Sequence, residues 1–284
     1  MKNIILRATS GAIYVALIVG AVIAGGWWLV GLLCLFTVLA LIEFYGLVNA
    51  EDGGENPVAL VVDVAGGLVL TFGIATLNAT DLSTFSMSVL GGTFLTLYLL
   101  YLIVRQIIQL YSRETNPITN LACSFMGQMY IALPLGLLSL FATLPDGRAL
   151  LLAMFIMIWL NDTGAFLVGS MIGRHPMFPR ISPKKSIEGL IGGFIFTIGS
   201  AFIFKYCFGQ WYQQVDILTL IFMGIVVSAF ATWGDLVESL IKRTLGVKDS
   251  GKLMPGHGGI LDRIDSLLLV GPATLLYLVA VNLF

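Results

Sequence analysis

Long apolar runs, separated by short polar segments, account for most of this chain. A membrane-spanning helix needs about 20 predominantly apolar residues. Nine predicted spans cover residues 8–24, 27–48, 57–77, 85–109, 118–142, 149–172, 189–208, 215–241 and 264–283. Two Gly-x-x-x-Gly pairs, Gly169/Gly173 and Gly189/Gly193, allow helices to pack closely, more often inside one bundle than between chains. The pattern predicts an all-α polytopic membrane protein with about nine transmembrane helices.

The composition also indicates a membrane protein. Hydrophobic residues make up 58% of the chain and charged residues 11%, and the mean hydropathy is +0.95. A soluble domain is about 25% charged, so a soluble enzyme is excluded, and no nucleic-acid partner is expected. The cysteines Cys34, Cys123 and Cys207 lie far apart inside apolar runs. We therefore expect neither disulfides nor a cysteine-bound metal.

The basic residues predict the orientation of the spans. With the N-terminus placed in the cytoplasm, thirteen of the fifteen Lys and Arg residues fall on cytoplasmic segments, and only Arg148 and Lys205 fall outside. This asymmetry follows the positive-inside rule and predicts a cytoplasmic N-terminus and an external C-terminus. We expect an N-terminal bundle of about four helices over 1–115. A catalytic bundle over 116–284 would carry cytoplasmic loops at 173–188 and 242–263.

Acidic residues within or beside the spans gather on the predicted cytoplasmic side. They are Glu43, Asp63, Asp162, Asp235, Glu238, Asp262 and Asp265. Charge inside a membrane helix is costly and usually marks a functional site. Because these residues share one side of the membrane, we expect them to converge on a polar cavity there.

The segment 239–265 is the most densely charged part of the chain. Its 27 residues include five Lys or Arg, three Asp, one of the two histidines and five glycines. Lys and Arg bind phosphate, carboxylates bind divalent cations, and glycines let backbone N–H groups approach an anion. The combination indicates metal-assisted phosphate chemistry at a membrane surface.

Asp262 and Asp265 are three residues apart, so on a helix they share a face with Cβ atoms about 5–6 Å apart. Such a pair can hold Mg²⁺, with Asp235 as the best candidate for a third ligand. The alternative is that Asp262 caps the last helix and Asp265 complements its dipole. The neighbouring glycines and basic residues favour the metal site.

The glycine-rich loop 246–261 has two interpretations. It could be an ordinary connection rich in turn residues, but that does not account for Lys248, Lys252 and His257 within it. Neither the P-loop nor the dinucleotide-binding glycine pattern is present. We expect His257 to act as an acid or base, or to donate to a phosphate.

Two blocks of the sequence carry a family resemblance. The first consists of Ser239, Lys242, Arg243, Lys248, Asp249, Pro255, His257, Gly258, Gly259, Asp262, Arg263 and Asp265. The second consists of residues 161–166, 173–174 and 181–189. Both resemble the phosphatidate cytidylyltransferase (CDP-diacylglycerol synthase) family, with two differences in the second block: Phe166 replaces a common tyrosine and Ser186 a usual threonine.

The resemblance implies transfer of a cytidylyl group from CTP to phosphatidic acid, with Mg²⁺ required and pyrophosphate released. It implies catalytic roles for Lys248, His257 and three aspartates, Asp235, Asp262 and Asp265, which would also bind the metal. The implied substrate-binding residues are Asn161, Asp162, Ser182, Lys184, Lys185, Ser239, Lys242, Arg243, Asp249, Gly258, Gly259 and Arg263. The substrate phosphate is itself the nucleophile, so no nucleophilic side chain is needed. We expect a multi-pass inner-membrane enzyme with a cytoplasmic active site; a second cation and a homodimer are left open.

Other functions fit parts of the pattern. A CTP-dependent polyprenol or phytol kinase, or an archaeal-type lipid cytidylyltransferase, would use the same nucleotide. A secondary transporter would place polar residues near the midplane, between inverted repeats, and no internal repeat is evident. A CDP-alcohol phosphotransferase would need a D-G-x-x-A-R run, which the sequence lacks.

Overall fold

The computed structural model describes residues 2–49, 56–77, 84–112, 116–251 and 258–281. The α-helices are α1 (Lys2–Ala24), α2 (Gly26–Asn49), α3 (Pro57–Thr76), α4 (Thr84–Tyr111), α5 (Pro117–Gly127), α6 (Leu133–Leu138), α7 (Gly147–Ile172), α8 (Ile187–Cys207), α9 (Ile217–Thr244) and α10 (Leu261–Ala280). A π-helical turn (Gln128–Ala132) joins α5 to α6, and 3₁₀ turns cover Ser139–Thr143 and Gly209–Trp211. Strands β1 (Pro176–Phe178) and β2 (Ser182–Ser186) form an antiparallel hairpin between α7 and α8.

Eight of the described helical segments are long and apolar enough to cross a membrane, by length and composition. They coincide with eight of the predicted spans, and their ends agree within three residues. The first predicted span, 8–24, falls on α1, where Thr9–Ala24 forms a shorter apolar helix. The prediction of an all-α polytopic membrane protein is confirmed. The orientation of the termini stays a prediction.

Local sequence signals explain where several spans begin. Asn56 and Asn116 each precede a proline, and each asparagine caps the helix that follows. Asn56 Oδ1 accepts two first-turn N–H groups at 3.1 and 3.3 Å, and Asn116 Oδ1 accepts that of Thr119 at 3.2 Å. Proline suits the first helical position because its missing N–H would have no partner there. The two Asn-Pro pairs therefore define the starts of α3 and α5.

Side-chain caps also start α8 and α9. Ser186 Oγ accepts the N–H of Gly189 at 3.1 Å, and Asp216 Oδ1 accepts that of Thr219 at 2.8 Å. These hydrogen bonds satisfy first-turn donors that have no partner inside the helix. Hydrogen bonding from Thr219 holds the pKa of the Asp216 carboxyl below its usual value.

The fifth span changes helix type along its length. Leu133 donates its N–H to Gln128 O, five residues back, which closes the π-helical turn Gln128–Ala132. Pro134 follows directly and has no N–H to continue the regular α-helical pattern. We attribute the wide turn to this proline, since π turns accommodate a local break without ending the helix.

The described residues form two compact units. The first lies within 1–140 and 249–263, and the second within 141–248 and 264–284. The sequence-based division of the chain after residue 115 stays a prediction.

A buried ionic network lies in the first unit. The Arg105 guanidinium donates Nε–H to both carboxylate oxygens of Asp63 at 3.1 Å, and both side chains are only 4% exposed. Tyr101 and Ser124 donate hydroxyls to the same carboxylate at 3.0 and 2.6 Å. Arg105 Nη1 also donates to Gln109 Oε1 at 2.9 Å. This network links α3, α4 and α5.

The packing of α7 against α8 organises the second unit. A Cβ on Gly192 would lie 2.6 Å from Gly164 O, and one on Gly189 would lie 2.9 Å from Ala165 O. Small residues therefore bring the two backbones into contact. The Gly169/Gly173 and Gly189/Gly193 pairs serve packing between helices of this chain, the more common of the two expected uses.

Candidate active site

A cavity of about 500 Å³ lies in the second unit, among α7, the hairpin, α8 and α9. Its lining consists of Asn161, Asp162, Ala165, Phe166, Gly169, Ser170, Met177, Lys184, Lys185, Ser186, Gly189, Leu190, Thr232 and Asp235. The structure thus brings residues from the second sequence block (161–166, 173–174 and 181–189) together with Asp235, which comes more than forty residues later in the chain.

An ion pair crosses one wall of this cavity. Lys185 on β2 places Nζ 2.7 Å from Asp235 Oδ2 on α9, and the same ammonium donates to Thr232 O at 3.3 Å. Ser239 donates its hydroxyl to Asp235 Oδ1 at 3.1 Å, one helical turn further along α9. The Lys185 side chain is 24% exposed and that of Asp235 is 41% exposed. Both charges therefore remain accessible from the cavity.

The hairpin that carries the two lysines is anchored at its base. Pro176 pairs with Ser186 and Phe178 with Ser182. Glu188, in the first turn of α8, accepts the backbone N–H groups of Arg174 and His175 at 3.1 and 3.2 Å. Glu188 Oε1 also lies 2.5 Å from His175 Nδ1. These contacts tie the end of α7 to the start of α8.

Asn161 forms a buried polar support in the lining of the cavity. Its Oδ1 accepts the hydroxyl hydrogen of Ser228 on α9 at 2.7 Å. Its Nδ2 lies 3.5 Å from Asp162 Oδ1, so the amide donates toward the exposed carboxylate. A Cβ on Gly193 would lie 2.3 Å from Asn161 Oδ1. The amide is therefore fixed by neighbours on both α8 and α9.

Part of the lining is apolar. Phe166, Met177 and Leu190 contribute hydrophobic surface, and Phe166 is 72% exposed. The cavity therefore combines two lysines and two aspartates with an apolar wall, which suits a ligand that has both an anionic group and a hydrocarbon part.

Asp265 on α10 joins the acidic groups of the second unit. The backbones of α9 and α10 meet nearby, because a Cβ on Gly234 would lie 2.8 Å from Asp265 O. Asp235 directly follows Gly234 and therefore lies where these two helices meet. Lys242 forms an ion pair with Glu238, four residues earlier on α9. The predicted ligands Asp235 and Asp265 thus both lie at the contact between α9 and α10.

These carboxylates suit a magnesium ion that is shared with a substrate. Among the residues that the structure describes, no group of three His, Cys, Asp or Glu side chains could hold a metal alone. Mg²⁺ usually takes one or two protein carboxylates and completes its shell with water and substrate phosphate oxygens. Asp235 and Asp265 match that donor set.

Asp262 has hydrogen-bond partners in the glycine-rich loop of the first unit. Its carboxylate accepts the Ser250 N–H at 3.0 and 3.2 Å, and its Oδ2 accepts the Gly259 N–H at 2.9 Å. The Asp262 N–H donates back to Ser250 Oγ at 3.3 Å. Gly258 has φ +86°, and a Cβ there would lie 2.6 Å from Asp262 Oδ2. Asp262 therefore organises the loop, and its role as a metal ligand stays a prediction.

The remaining predicted residues occupy varied positions. Ser182 is half-buried on β2, whereas Lys248, Asp249 and Arg263 are exposed. Arg243 donates Nη1–H to Val247 O at 3.1 Å and is also exposed. Pro255 and His257 lie outside the described residues, so the proposed roles of His257 stay predictions.

Several site residues were not identified from the sequence. Thr232 and Ser228 are ordinary small polar residues on an apolar helix, and only folding brings them to Lys185 and Asn161. Glu188 lies two residues after the predicted Lys-Lys-Ser run. Its position in the first helical turn was the available signal for a structural role there, since a carboxylate stabilises a helix N-terminus.

The chain is similar to known cytidylyltransferases. Residues 5–281 match the model of a family described as the cytidylyltransferase family. The chain is 40% identical over 161 residues to a phosphatidate cytidylyltransferase of Staphylococcus haemolyticus. It is 41% identical over 161 residues to a protein of the same name from Staphylococcus aureus. Each alignment covers 57% of this chain and spans 60% of the relative's length.

Proposed function

Because the chain belongs to the cytidylyltransferase family, we propose that it transfers a cytidylyl group from CTP to phosphatidic acid. The products are CDP-diacylglycerol and pyrophosphate. The observation that carries this proposal is the amphipathic cavity of the second unit, where Lys184, Lys185, Asp162 and Asp235 lie beside an apolar wall. One substrate is a lipid phosphate and the other a nucleoside triphosphate, and this lining has groups for both.

The reaction requires little covalent participation by the protein. A phosphatidate oxygen forms a bond to the α-phosphorus of CTP while the bond from that phosphorus to the pyrophosphate oxygen breaks. Catalysis of such phosphoryl-type transfers depends on positioning and charge stabilisation. We assign Lys184 and Lys185 to binding phosphate oxygens, and Asn161 to holding Asp162 in place from behind.

We assign Asp235 and Asp265 to the magnesium ion, and a second cation stays open. When bound, Mg²⁺ supplies Lewis-acid neutralisation of charge on the triphosphate. The Lys185 ammonium balances Asp235 at 2.7 Å before substrate arrives, which keeps the carboxylate oriented toward the cavity. Ser239 restrains the other oxygen of the same carboxylate.

The protein is a multi-pass membrane protein by the length and composition of its helices. We propose further that the active site faces the cytoplasm of a bacterial cell, where CTP is available. The supporting observation is that thirteen of fifteen basic residues lie on segments of one predicted side.

The direct test is an assay of the purified protein with phosphatidic acid, Mg²⁺ and CTP labelled in two positions. Cytidylyl transfer places a cytidine label in the lipid and releases the γ-phosphate label as pyrophosphate. A kinase would place the γ-phosphate label in the lipid and leave the cytidine label in solution, which would refute the proposal. Asp235→Asn serves as the inactive control.

A further inference from the structure

A carboxylate from the second helix holds the glycine-rich loop of the first unit. Glu43 lies on α2, and its Oε1 and Oε2 accept the N–H groups of Ile260 and Leu261, each at 2.9 Å. Ser250 also donates its hydroxyl to Glu43 Oε2 at 3.3 Å. A single side chain thus binds both described ends of the loop, residues 249–251 and 258–261.

Two of the loop's glycines are explained by this close approach. A Cβ on Gly251 would lie 2.7 Å from Glu43 Oε1, and all three of its nearest atoms belong to Glu43. A Cβ on Gly259 would lie 2.3 Å from Glu43 Oε2 and 2.1 Å from Ser250 Oγ. Glycine at these positions makes room for a carboxylate of the protein itself.

Glu43 also supplies the cap at the start of α10. Leu261 is the first residue of that helix, and the preceding Ile260 has no side-chain acceptor. First-turn N–H groups need a partner, and a negative charge at a helix N-terminus is favourable. The N–H groups of residues 260 and 261 are therefore used inside the protein and are not left for a substrate anion.

We propose that Glu43 is a positioning residue for the reaction, acting through the loop and the first turn of α10. It has no role in contacting substrate. It fixes the segment on which Asp262 lies, and Asp265 follows one helical turn later. This inference rests on the proposed function, because its kinetic consequence is defined for cytidylyl transfer.

A double-mutant cycle between Glu43 and Gly251 tests the contact. Glu43→Ala should lower kcat by about 10- to 100-fold and change KM for CTP by less than about 3-fold, because misplaced catalytic groups mainly reduce turnover. Gly251→Ala should lower kcat about 10-fold by displacing the same carboxylate. The double variant should match Glu43→Ala alone, since the added methyl group then meets no Glu43 carboxylate. Additive losses would overturn the proposal.

Conservative and control variants make the test specific. Glu43→Gln keeps one acceptor oxygen and should fall between wild type and Glu43→Ala in kcat. Ile42→Ala changes an exposed neighbour on the same helix and should leave kcat at the wild-type level. A loss in Ile42→Ala equal to that in Glu43→Ala would indicate general damage to α2 and overturn the proposal.

Amide hydrogen exchange provides a readout that does not depend on activity. Glu43→Ala should speed exchange at residues 250 and 259–262, whereas Ile42→Ala should not. Faster exchange with unchanged kcat would make Glu43 a purely structural cap and overturn the positioning role. If the wild-type protein transferred no cytidylyl group, the proposed function would fail, and the exchange data would still report on the Glu43 contact.

Discussion

Two of the ionic clusters among the described residues differ in their access to ligands. In the first unit, Asp63 and Arg105 are each only 4% exposed, and hydroxyl donors add to the ion pair. In the second unit, Lys185 and Asp235 are 24% and 41% exposed and line a cavity of about 500 Å³. Both clusters are predicted to lie on the same side of the membrane.

The difference separates a structural role from a binding role. A buried charge is tolerated only when it is paired and hydrogen-bonded, and such a network then defines one packing arrangement. The Asp63 carboxylate meets that condition through three neighbouring side chains. An ion pair at the edge of a cavity can exchange its partner for a ligand at lower cost. The burial and the partners of an acidic residue in a span therefore decide whether its role is structural or functional.

The largest effect is expected from breaking the buried pair. Asp63→Ala or Arg105→Ala leaves an unpaired charge in the interior and should lower the free energy of unfolding by about 3–5 kcal/mol. Thermal unfolding in detergent measures this loss. Replacing both residues by apolar ones, as in Asp63→Leu with Arg105→Met, should recover much of it. Unchanged unfolding of both single variants would contradict a structural role.

Smaller changes in free energy, measured as lost turnover, are expected at the two acids assigned to the magnesium ion. Asp235→Asn and Asp265→Asn should each lower kcat about 100-fold and raise the Mg²⁺ requirement, because a hard cation needs the negative charge. Their melting temperatures should stay near that of the wild type. Full activity at the normal Mg²⁺ concentration would exclude both from metal binding.

The same Mg²⁺ titration distinguishes the two roles considered for Asp262. As a metal ligand, Asp262→Asn would resemble the other two variants. If Asp262 instead organises the loop, Asp262→Asn would weaken the hydrogen bonds from the Ser250 and Gly259 N–H groups. The Mg²⁺ requirement would then be unchanged.

The smallest of these effects is expected at the two hairpin lysines. Lys185→Ala removes a charge-assisted contact, a class of interaction that contributes about 1.5–3 kcal/mol, so turnover should fall about tenfold or more. Lys184 is exposed, and Lys184→Ala should have a weaker effect. Membrane insertion should be normal in both variants. Wild-type turnover in both variants would show that these lysines do not bind substrate and serve only to orient the spans in the membrane.

Much of the fold could be predicted because it depends on local signals. The apolar runs identify eight spans with ends that agree within three residues, since a bilayer requires a minimum apolar length. The sequence predicts only a cytoplasmic loop at 173–188, where the structure has the hairpin at 176–186. Its three- and five-residue strands are too short to show an alternating pattern, so the sequence held no clear signal for it.

The site was harder to predict because long-range contacts define it. The family resemblance placed Asn161, Asp162, Lys184 and Lys185 in one sequence block, and all four line the cavity. It could not show that Lys185 pairs with Asp235, or that Asp63 pairs with Arg105. Glu43 was predicted only as one of several acids on the same side. Its bonds to residues more than two hundred positions away depend on folding and leave no local pattern.

The π-helical turn has a consequence for the angular phase of the fifth span. Gln128 donates to Asp63 O, Ala132 O accepts from Thr71, and a Cβ on Gly136 would lie 3.2 Å from Thr71 Cα. All three therefore face α3, although positions eight residues apart on a regular α-helix diverge by about 80°. The wide turn accommodates one extra residue and so removes about 100° of rotation from this segment. The contacts of Gln128, Ala132 and Gly136 therefore fall on one stripe of the helix. Deleting one residue between 128 and 132 would convert the wide turn into regular α-helix and keep the later contacts on the same stripe, whereas a one-residue deletion elsewhere in the span would rotate everything beyond it by about 100°.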